Sequence, residues 1–406
     1  MYDAIVIGAR CAGSPTAMLL ARKGYRVLLL DKATFPSDVI STHVIWPHGC
    51  EVLDRWGLLT TLEETGAPAI GLNMTFDVGP FALKGGALDR NGGRGGLCPR
   101  RTVLDKLLVD AAVMSGAEVR EAFTTEELIW DSHRVIGIRG HARGGGTVEE
   151  RASIVIGADG VHSLVANAVD APEYNAIPAL VTFFYSYFSG IDIDDIEQYV
   201  RPHEGAAYFP TNDGLTLVAA CWPSARFQEI RADIEANFRK VHAAVPGLAE
   251  RLDGARREED WRGIAGVPNF FRKPHGPGWA LVGDAGYCKD PLTAQGIVDS
   301  FHDAENLVAA IDAGFSGKQP LDEALGAYEV RRNERVTPLY YFTTDLAKLE
   351  PPPPEMQQLF AAMRGNQAAI NQFFSAICGA SSLPAFMAPE NLGRIMATAQ
   401  GAQALA

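Results

Sequence analysis

The sequence predicts an α/β region built on a central parallel sheet, joined to a β-rich second region with an antiparallel sheet and followed by a helical C-terminus. Three observations point there. Residues 1–32 read as strand, glycine-containing turn, helix and strand. Residues 178–222 carry aromatic strands around a tight turn, and at Gly278 a buried strand, Trp279 to Val282, resumes the opening pattern. A chain of 406 residues also exceeds one ordinary core of about 150 residues, so two or three domains are expected.

The first element is the strand Tyr2 to Ile7, running into the loop Gly8-Ala9-Arg10-Cys11-Ala12-Gly13. A helix follows from Ser14 to Lys23, then a strand from Tyr25 to Leu30 that ends at Asp31. This Rossmann-like layout holds an adenine dinucleotide. Gly8 takes the tight-turn position and Gly13 the place where helix packs closely on strand, so the loop with Ala12 can set a pyrophosphate on the helix N-terminus. Arg10 stands where the middle glycine is usual; it offers its guanidinium to a phosphate or points outward. Asp31, followed by Lys32, can accept hydroxyl protons from the adenosine ribose.

Downstream, Ser41-Thr42-His43 precedes a helical run over Val52 to Leu59. His43 reads equally as a group reaching a ligand and as a hydrogen-bonded structural residue. Leu72 to Asp77 alternates like a strand. Six glycines between residues 85 and 96 suggest a hairpin tip or a lid. After Cys98-Pro99-Arg100-Arg101 an amphipathic helix places Val103, Leu104, Leu107, Leu108, Ala111 and Ala112 on one face. Strands are expected at Glu118 to Arg120, Arg134 to Arg139, Thr147 to Ala152 and Ser153 to Ile156, the last entering Gly157-Ala158-Asp159-Gly160. The strands at Leu180 to Phe188, Gly205 to Pro210 and Leu215 to Trp222 follow, the last two joined through Thr211-Asn212-Asp213-Gly214. Helices are expected at Ile230 to Val241, Pro246 to Leu252 and Gln295 to Ile311, with a helical remainder interrupted by Pro351 to Pro354. From Pro351 onward only Glu355, Arg364, Glu390 and Arg394 are charged, so this tail is expected to lie against the body or a partner subunit.

A net charge of −13 without a basic run argues against nucleic-acid binding. Six scattered cysteines with no CxxC pair argue against a disulfide framework or metal site. No apolar run reaches the roughly 18 residues of a membrane span, and nothing before the first strand suggests a signal peptide. A cytoplasmic protein is expected, with a homodimer left open.

Three motifs together resemble the single-component FAD-dependent aromatic monooxygenases (group A) of the p-hydroxybenzoate hydroxylase fold. They are Gly8 to Gly13 with Asp31; Gly157-Ala158-Asp159-Gly160 with Ser163; and Gly283, Asp284, Ala285, Pro291, Gln295 and Gly296 followed by Asp303-Ala304. Arg101 with Leu104-Asp105 also matches the family's helix start. Departures are Arg10, Gly286-Tyr287, Ala294, and Ala166-Asn167 where the family usually carries an arginine.

The resemblance implies an FAD-binding domain of residues 1–71, 98–175 and 276–330, a substrate domain of 72–97 and 176–275, and a C-terminal helical region of 331–406. It implies that NAD(P)H, bound transiently, reduces the flavin, and that O2 then hydroxylates a phenolic or heteroaromatic small molecule through a flavin hydroperoxide. Arg101 would contact the linking portion of FAD, Asp284 its ribityl hydroxyls, and the backbone at Gln295-Gly296-Ile297 its pyrimidine edge; Asp159 belongs to the same cofactor set. No catalytic residue is fixed; His43, Tyr185, Tyr187, Tyr208 and Pro291 are candidates, with Trp222 as a further wall residue. A prenyl-chain reductase of the geranylgeranyl type is the alternative, partly recognised in Tyr208-Phe209-Pro210. A related halogenase and a binding flavoprotein stand behind it, although the tryptophan-containing halogenase signature is not seen.

Overall fold

The computed structural model describes residues 1–87 and 95–404, with side chains through residue 399. Most of the expected glycine tip or lid, residues 88–94, lies outside the described residues. Gly85 ends the strand Ala82–Gly85, and Gly96 begins the short strand Gly96–Leu97.

The opening sheet is parallel at its centre. The strand Tyr2–Ile7 lies between Val27–Leu30 and Thr147–Gly157; Glu118–Arg120 flanks the first of these and Trp279–Leu281 the second, all in parallel pairing. Ala4, Ile5 and Val6, like Leu28 and Leu29, are wholly buried because both sheet faces are covered, which is why these strands read as unbroken apolar runs. One face (Ala4, Val6, Val27, Leu29) packs on the helices Gly13–Arg22, Arg101–Met114 and Gly296–Phe315. The other (Ile5, Ile7, Leu28, Leu30) packs on Phe123, Leu128 and Ile138. Those residues belong to an antiparallel meander, Phe123–Asp131, Arg134–Ala142 and Thr147–Gly157. Two expectations change here. Residues 147–157 form one continuous strand rather than two, because its first half serves the meander and its second half the parallel sheet. The strand Phe123–Asp131, too polar to show clean alternation, emerges only through pairing.

The second sheet runs Arg256–Arg257, Val181–Ser189, Thr216–Pro223, Glu204–Pro210, Glu197–Arg201, Met74–Asp77 and Ala82–Gly85. Its pairs are antiparallel except Glu197–Arg201 with Met74–Asp77. One helix expected over 230–241 is two, Phe227–Ala232 and Ile234–Ala243, broken at Asp233, whose side chain caps the second through the N–H of Ala236. These helices cover the face carrying Phe184, Phe188, Tyr208 and Trp222.

The C-terminal residues pack on the body of their own chain. The helix Leu321–Leu346 lies along Gly296–Phe315, joined by Arg335 to Asp299 and Asp303 at 2.7 and 2.9 Å. Burial alone would raise Asp299, but Lys289 and Arg335 hold it down to about 2. Beyond the prolines, Phe360 and Phe373 pack against Phe76 of the second sheet, which explains the scarcity of charge there. Among the described residues no helix is long and apolar enough to cross a membrane.

Candidate active site

The glycine loop is built by close approach. Gly8 sits at φ +101°, and a Cβ there would meet the Ala158 carbonyl oxygen at 2.3 Å. A Cβ on Gly13 would lie 1.7 Å from the Gly8 carbonyl oxygen. The loop therefore closes over bare backbone. Ser14 and Thr16 already donate to the carbonyls of Arg10 and Ala12 and Pro15 has no N–H, so the donors left among the described residues are the N–H groups of Cys11, Ala12 and Gly13 at the helix entry. Asp31 is half-buried at the tip of its strand and accepts from the N–H of Ala9 at 2.7 Å and of Ala33 at 2.8 Å. Each carboxylate oxygen still has a lone pair for a ribose hydroxyl. Lys32 beside it is exposed.

Arg10 turns sideways from this loop. It donates to Asp105 Oδ2 at 2.5 Å and to Ser37 Oγ at 2.9 Å. Arg101 donates to Asp105 Oδ1 through Nε at 3.0 Å and Nη2 at 2.9 Å, and the Cys11 thiol reaches the same oxygen at 3.4 Å. Asp105 is fully buried and is the hub of the cluster. Its one-turn spacing from Arg101 was visible in sequence; the long-range partner Arg10 was not.

Asp284 follows Gly283, whose φ is +62° and where a Cβ would strike Ala12 Cβ at 2.7 Å. Loop and turn thus touch. Protein hems Asp284 in on all sides, yet its side chain keeps exposed surface, as expected of a group facing an internal recess. That surrounding burial pushes its pKa up to about 6, against the pull of Lys289 and Arg101. It accepts no hydrogen bond among the described residues. The helix Gly296–Phe315 begins nearby with Gly296 exposed. Gln295 spends its side chain on the carbonyl of Ile377 at 3.2 Å, leaving the backbone N–H groups of Gly296 and Ile297 as the available donors. A bare glycine cradle, an orphan carboxylate in a recess and a free helix N-terminus together suit FAD.

Asp159 is held by local hydrogen bonds. It accepts from Ser163 Oγ at 2.5 Å and from the N–H of Leu164 at 2.7 Å, capping the five-residue helix Leu164–Ala168.

An apolar pocket enclosing ≈ 690 Å³ of non-protein space, part of it open to solvent, lies between the second sheet, the segment Ser41-Thr42, the turn Pro291-Leu292, and Leu346 with Leu349. Cross-strand register explains its shape. Tyr185 stands opposite Ala219, which stands opposite Ala207, which stands opposite Gln198; the next row runs Phe183, Cys221, Gly205, Val200. Small residues in mid-row hollow the sheet face, while Phe183, Phe209 and Leu217 wall it. Among the described residues no Asp, Glu, Lys, Arg or His lines the cavity.

Tyr185 lines the cavity, and its hydroxyl accepts the N–H of Ser41 at 3.4 Å. Tyr187 lies edge-on to it at 5.8 Å, and its hydroxyl is hydrogen-bonded to His43 Nε2 at 2.6 Å. His43 is buried in a left-handed conformation, φ +65°. Burial, reinforced by the Arg101 charge, pushes its pKa down to about 3, so the ring is neutral; its Nδ1 has no hydrogen-bond partner among the described residues. Behind Tyr187 the ion cluster Arg100, Asp38, Glu259 and Arg262 ties the two sheets' regions together. Tyr208 and Trp222 do not join this site. Their register turns them to the opposite sheet face, where Tyr208 packs edge-on against His242 at 5.6 Å.

Asp290, just before Pro291, was not anticipated. It is 1% exposed, accepts from the N–H of Leu292 at 3.3 Å, and leaves Oδ2 without a hydrogen-bond partner among the described residues. Burial, opposed by the backbone N–H groups of Leu292 and Val181, raises it to about 7. The folded chain thus keeps a proton that the unfolded chain releases near pH ~4. Its favourable share is whole below that pH and is lost as pH rises through about 7. Asp290→Asn keeps an acceptor for Leu292 and has no proton to lose. Its stability advantage over wild type is expected to grow by about 2–3 kcal/mol between pH 5 and pH 8, read from urea unfolding; an equal advantage at both pH values would refute the assignment.

A family model described as FAD binding domain matches residues 1–343. The chain is 28% identical over 347 residues to a digeranylgeranylglycerophospholipid reductase of Methanosarcina acetivorans, covering 82% of this chain and 81% of that one. It is 23% identical over 353 residues to an FAD-dependent monooxygenase, ntnJ, of a Nectria species, covering 82% and 81%. The myxobacterial chondrochloren halogenase CndH has the same fold, with a TM-score of 0.79, 22% identity, and coverage of 98% of this chain and 96% of that one.

Proposed function

The chain belongs to the FAD binding domain family, and on that premise we propose that it is an FAD-dependent monooxygenase acting with NAD(P)H and O2 on a neutral, largely apolar aromatic compound. The observation that carries this reading is the cavity lined, among the described residues, without a charged side chain. A carboxylate substrate placed there would lose its water and find no cation, a cost of several kcal/mol. Aromatic and aliphatic walls suit a flat, uncharged ring and keep bulk water out.

Bound FAD would supply the electron transfer and the activation of oxygen. The chain's own residues would do the rest. The Gly8–Gly13 backbone would receive the pyrophosphate, Asp31 the adenosine ribose and Asp284 the ribityl hydroxyls. The N–H groups of Gly296 and Ile297, at the positive end of a 20-residue helix, would favour negative charge beside them. Tyr185 faces the substrate, and the series Tyr185, Tyr187 and His43 offers proton-bearing groups leading away from the cavity. His43, neutral and with Nδ1 open, suits passing a proton on rather than holding one.

A second reading, reduction of a prenyl double bond, is favoured by the 28% identity to the Methanosarcina reductase and by the same uncharged cavity. One experiment separates the two. The purified flavoprotein is supplied with NADPH or NADH and a panel of neutral phenols, and substrate-stimulated O2 uptake and hydroxylated product are measured. Oxygen uptake matched by hydroxylated product is expected. Saturation of a prenyl alcohol under anaerobic conditions, with no phenol hydroxylated in air, would replace the first reading with the second.

A further inference from the structure

The turn after the helix Leu321–Leu346 pushes a leucine into the cavity wall. Leu349 has φ +52°, a left-handed conformation that glycine adopts freely and leucine disfavours. It is nevertheless 1% exposed and packs with Val181, Cys221 and Ala347, against Phe183, Val200 and Leu292. Its carbonyl accepts the N–H of His203 at 2.8 Å, pinning the turn to the second sheet. After Glu350 come Pro351 to Pro354; their fixed φ angles stiffen the chain leaving the turn, and Pro354 opens the next helix. A strained backbone held from both sides, with its side chain in a cavity wall, indicates that the side chain is used.

The sheet shows for what. Gly205 and Cys221 stand opposite each other in one register row, and Ala207 and Ala219 in the next, making a trough across the face. Leu349 packs over the Cys221 row and closes the trough there. We propose that Leu349, held by the proline-stiffened turn and seconded by Leu346, is the residue that sets the length of substrate the cavity accepts. The substrate's body lies along the Gly205–Ala207–Ala219 trough, and its apolar tail ends against Leu349. This rests on the cavity being the substrate site, as proposed above.

The test uses the FAD-loaded protein and needs no turnover. Binding of n-alkylphenols from butyl to dodecyl is titrated by the change in flavin absorbance, giving affinity against chain length. Wild type is expected to show an optimum, with affinity falling for longer tails. Leu349→Ala is expected to move the optimum by about three carbons, the part of the side chain removed, and to tighten the longer phenols at least about tenfold. Leu349→Gly removes the same side chain while relaxing the backbone, so a shift in either variant with flavin retained supports the proposal. Ala219→Leu fills the trough and is expected to weaken every member at least about tenfold. An unmoved optimum in both Leu349 variants, with Ala219→Leu still blocking, overturns the role of Leu349 and leaves the substrate site standing. No binding to wild type, or no effect of Ala219→Leu, overturns both.

Discussion

Asp105→Ala is expected to lower the unfolding free energy by about 3–5 kcal/mol and to yield protein depleted of FAD. Removing one member of a buried ion pair leaves the other charge without compensation, and that is the origin of the magnitude. Here two arginines depend on one carboxylate. Arg101 is 9% exposed and has no other hydrogen-bond partner among the described residues; it would be left unpaired. Arg10 loses less, because its side chain is 26% exposed and retains Ser37. Asp105→Asn keeps the shape and one acceptor oxygen, and should fall between alanine and wild type. The loss reaches the cofactor because Asp105 holds both the middle residue of the glycine loop and the arginine that opens the helix Arg101–Met114. Urea unfolding and the flavin-to-protein absorbance ratio are the two readouts. If both variants unfold within ~1 kcal/mol of wild type and keep their flavin, Asp105 is not the hub. Arg10→Gly then reports on the arginine alone. A fall in FAD affinity larger than the fall in stability would mean that Arg10 serves the phosphate and not only Asp105.

What the sequence reveals of this site follows the range of the interaction. Gly8, Gly13 and Asp31 are legible because one local unit, strand–turn–helix–strand, carries their whole geometry. Asp284 is marked by the family motif it belongs to, since the end of a short strand entering a turn does not by itself single out a carboxylate. The hub is legible only in part: Arg101 and Asp105 are one helical turn apart, whereas Arg10 comes from a distant loop and its direction depends on where Asp105 sits. The cavity shows the limit most plainly. Alternation along Val181–Ser189 puts Tyr185 and Tyr187 on one face, but nothing local says which face turns toward the glycine loop. That is decided by pairing with Thr216–Pro223 and by the helices that cover the other side. The same pairing sets Tyr208 opposite Val218 and away from the cavity, so its aromatic character alone misleads. Leu349 is the extreme case. Only the proline run marks its neighbourhood, and the positive φ that directs the side chain inward has no signature in a leucine.

Gly13→Ala is expected to abolish FAD retention, with affinity reduced about 100-fold or more. The new Cβ would lie 1.7 Å from the Gly8 carbonyl oxygen, 2.9 Å from its carbon and 3.0 Å from Ala158 Cβ. The first of these is far inside any contact that atoms tolerate, and the obstacle is backbone, so no rotamer change relieves it. Either the start of the helix Gly13–Arg22 withdraws from the loop, or Gly8 moves. Gly8 is not free to move. Its N–H donates to the Leu30 carbonyl at 2.7 Å, and the Ala158 N–H donates to the Ile7 carbonyl at 2.8 Å, so the three strand ends are stitched together there. The helix start must therefore yield, carrying the Gly13 N–H away from the pyrophosphate it would bind. The strain of overpacking is of order 1–3 kcal/mol, and it falls on cofactor binding because the helix remains anchored through Ala17, Met18 and Leu20, all fully buried. The expected product is a folded, colourless protein with near-native circular dichroism and little flavin absorbance. A variant that purifies yellow, with wild-type FAD affinity, would show that the glycine loop is not where the dinucleotide is held.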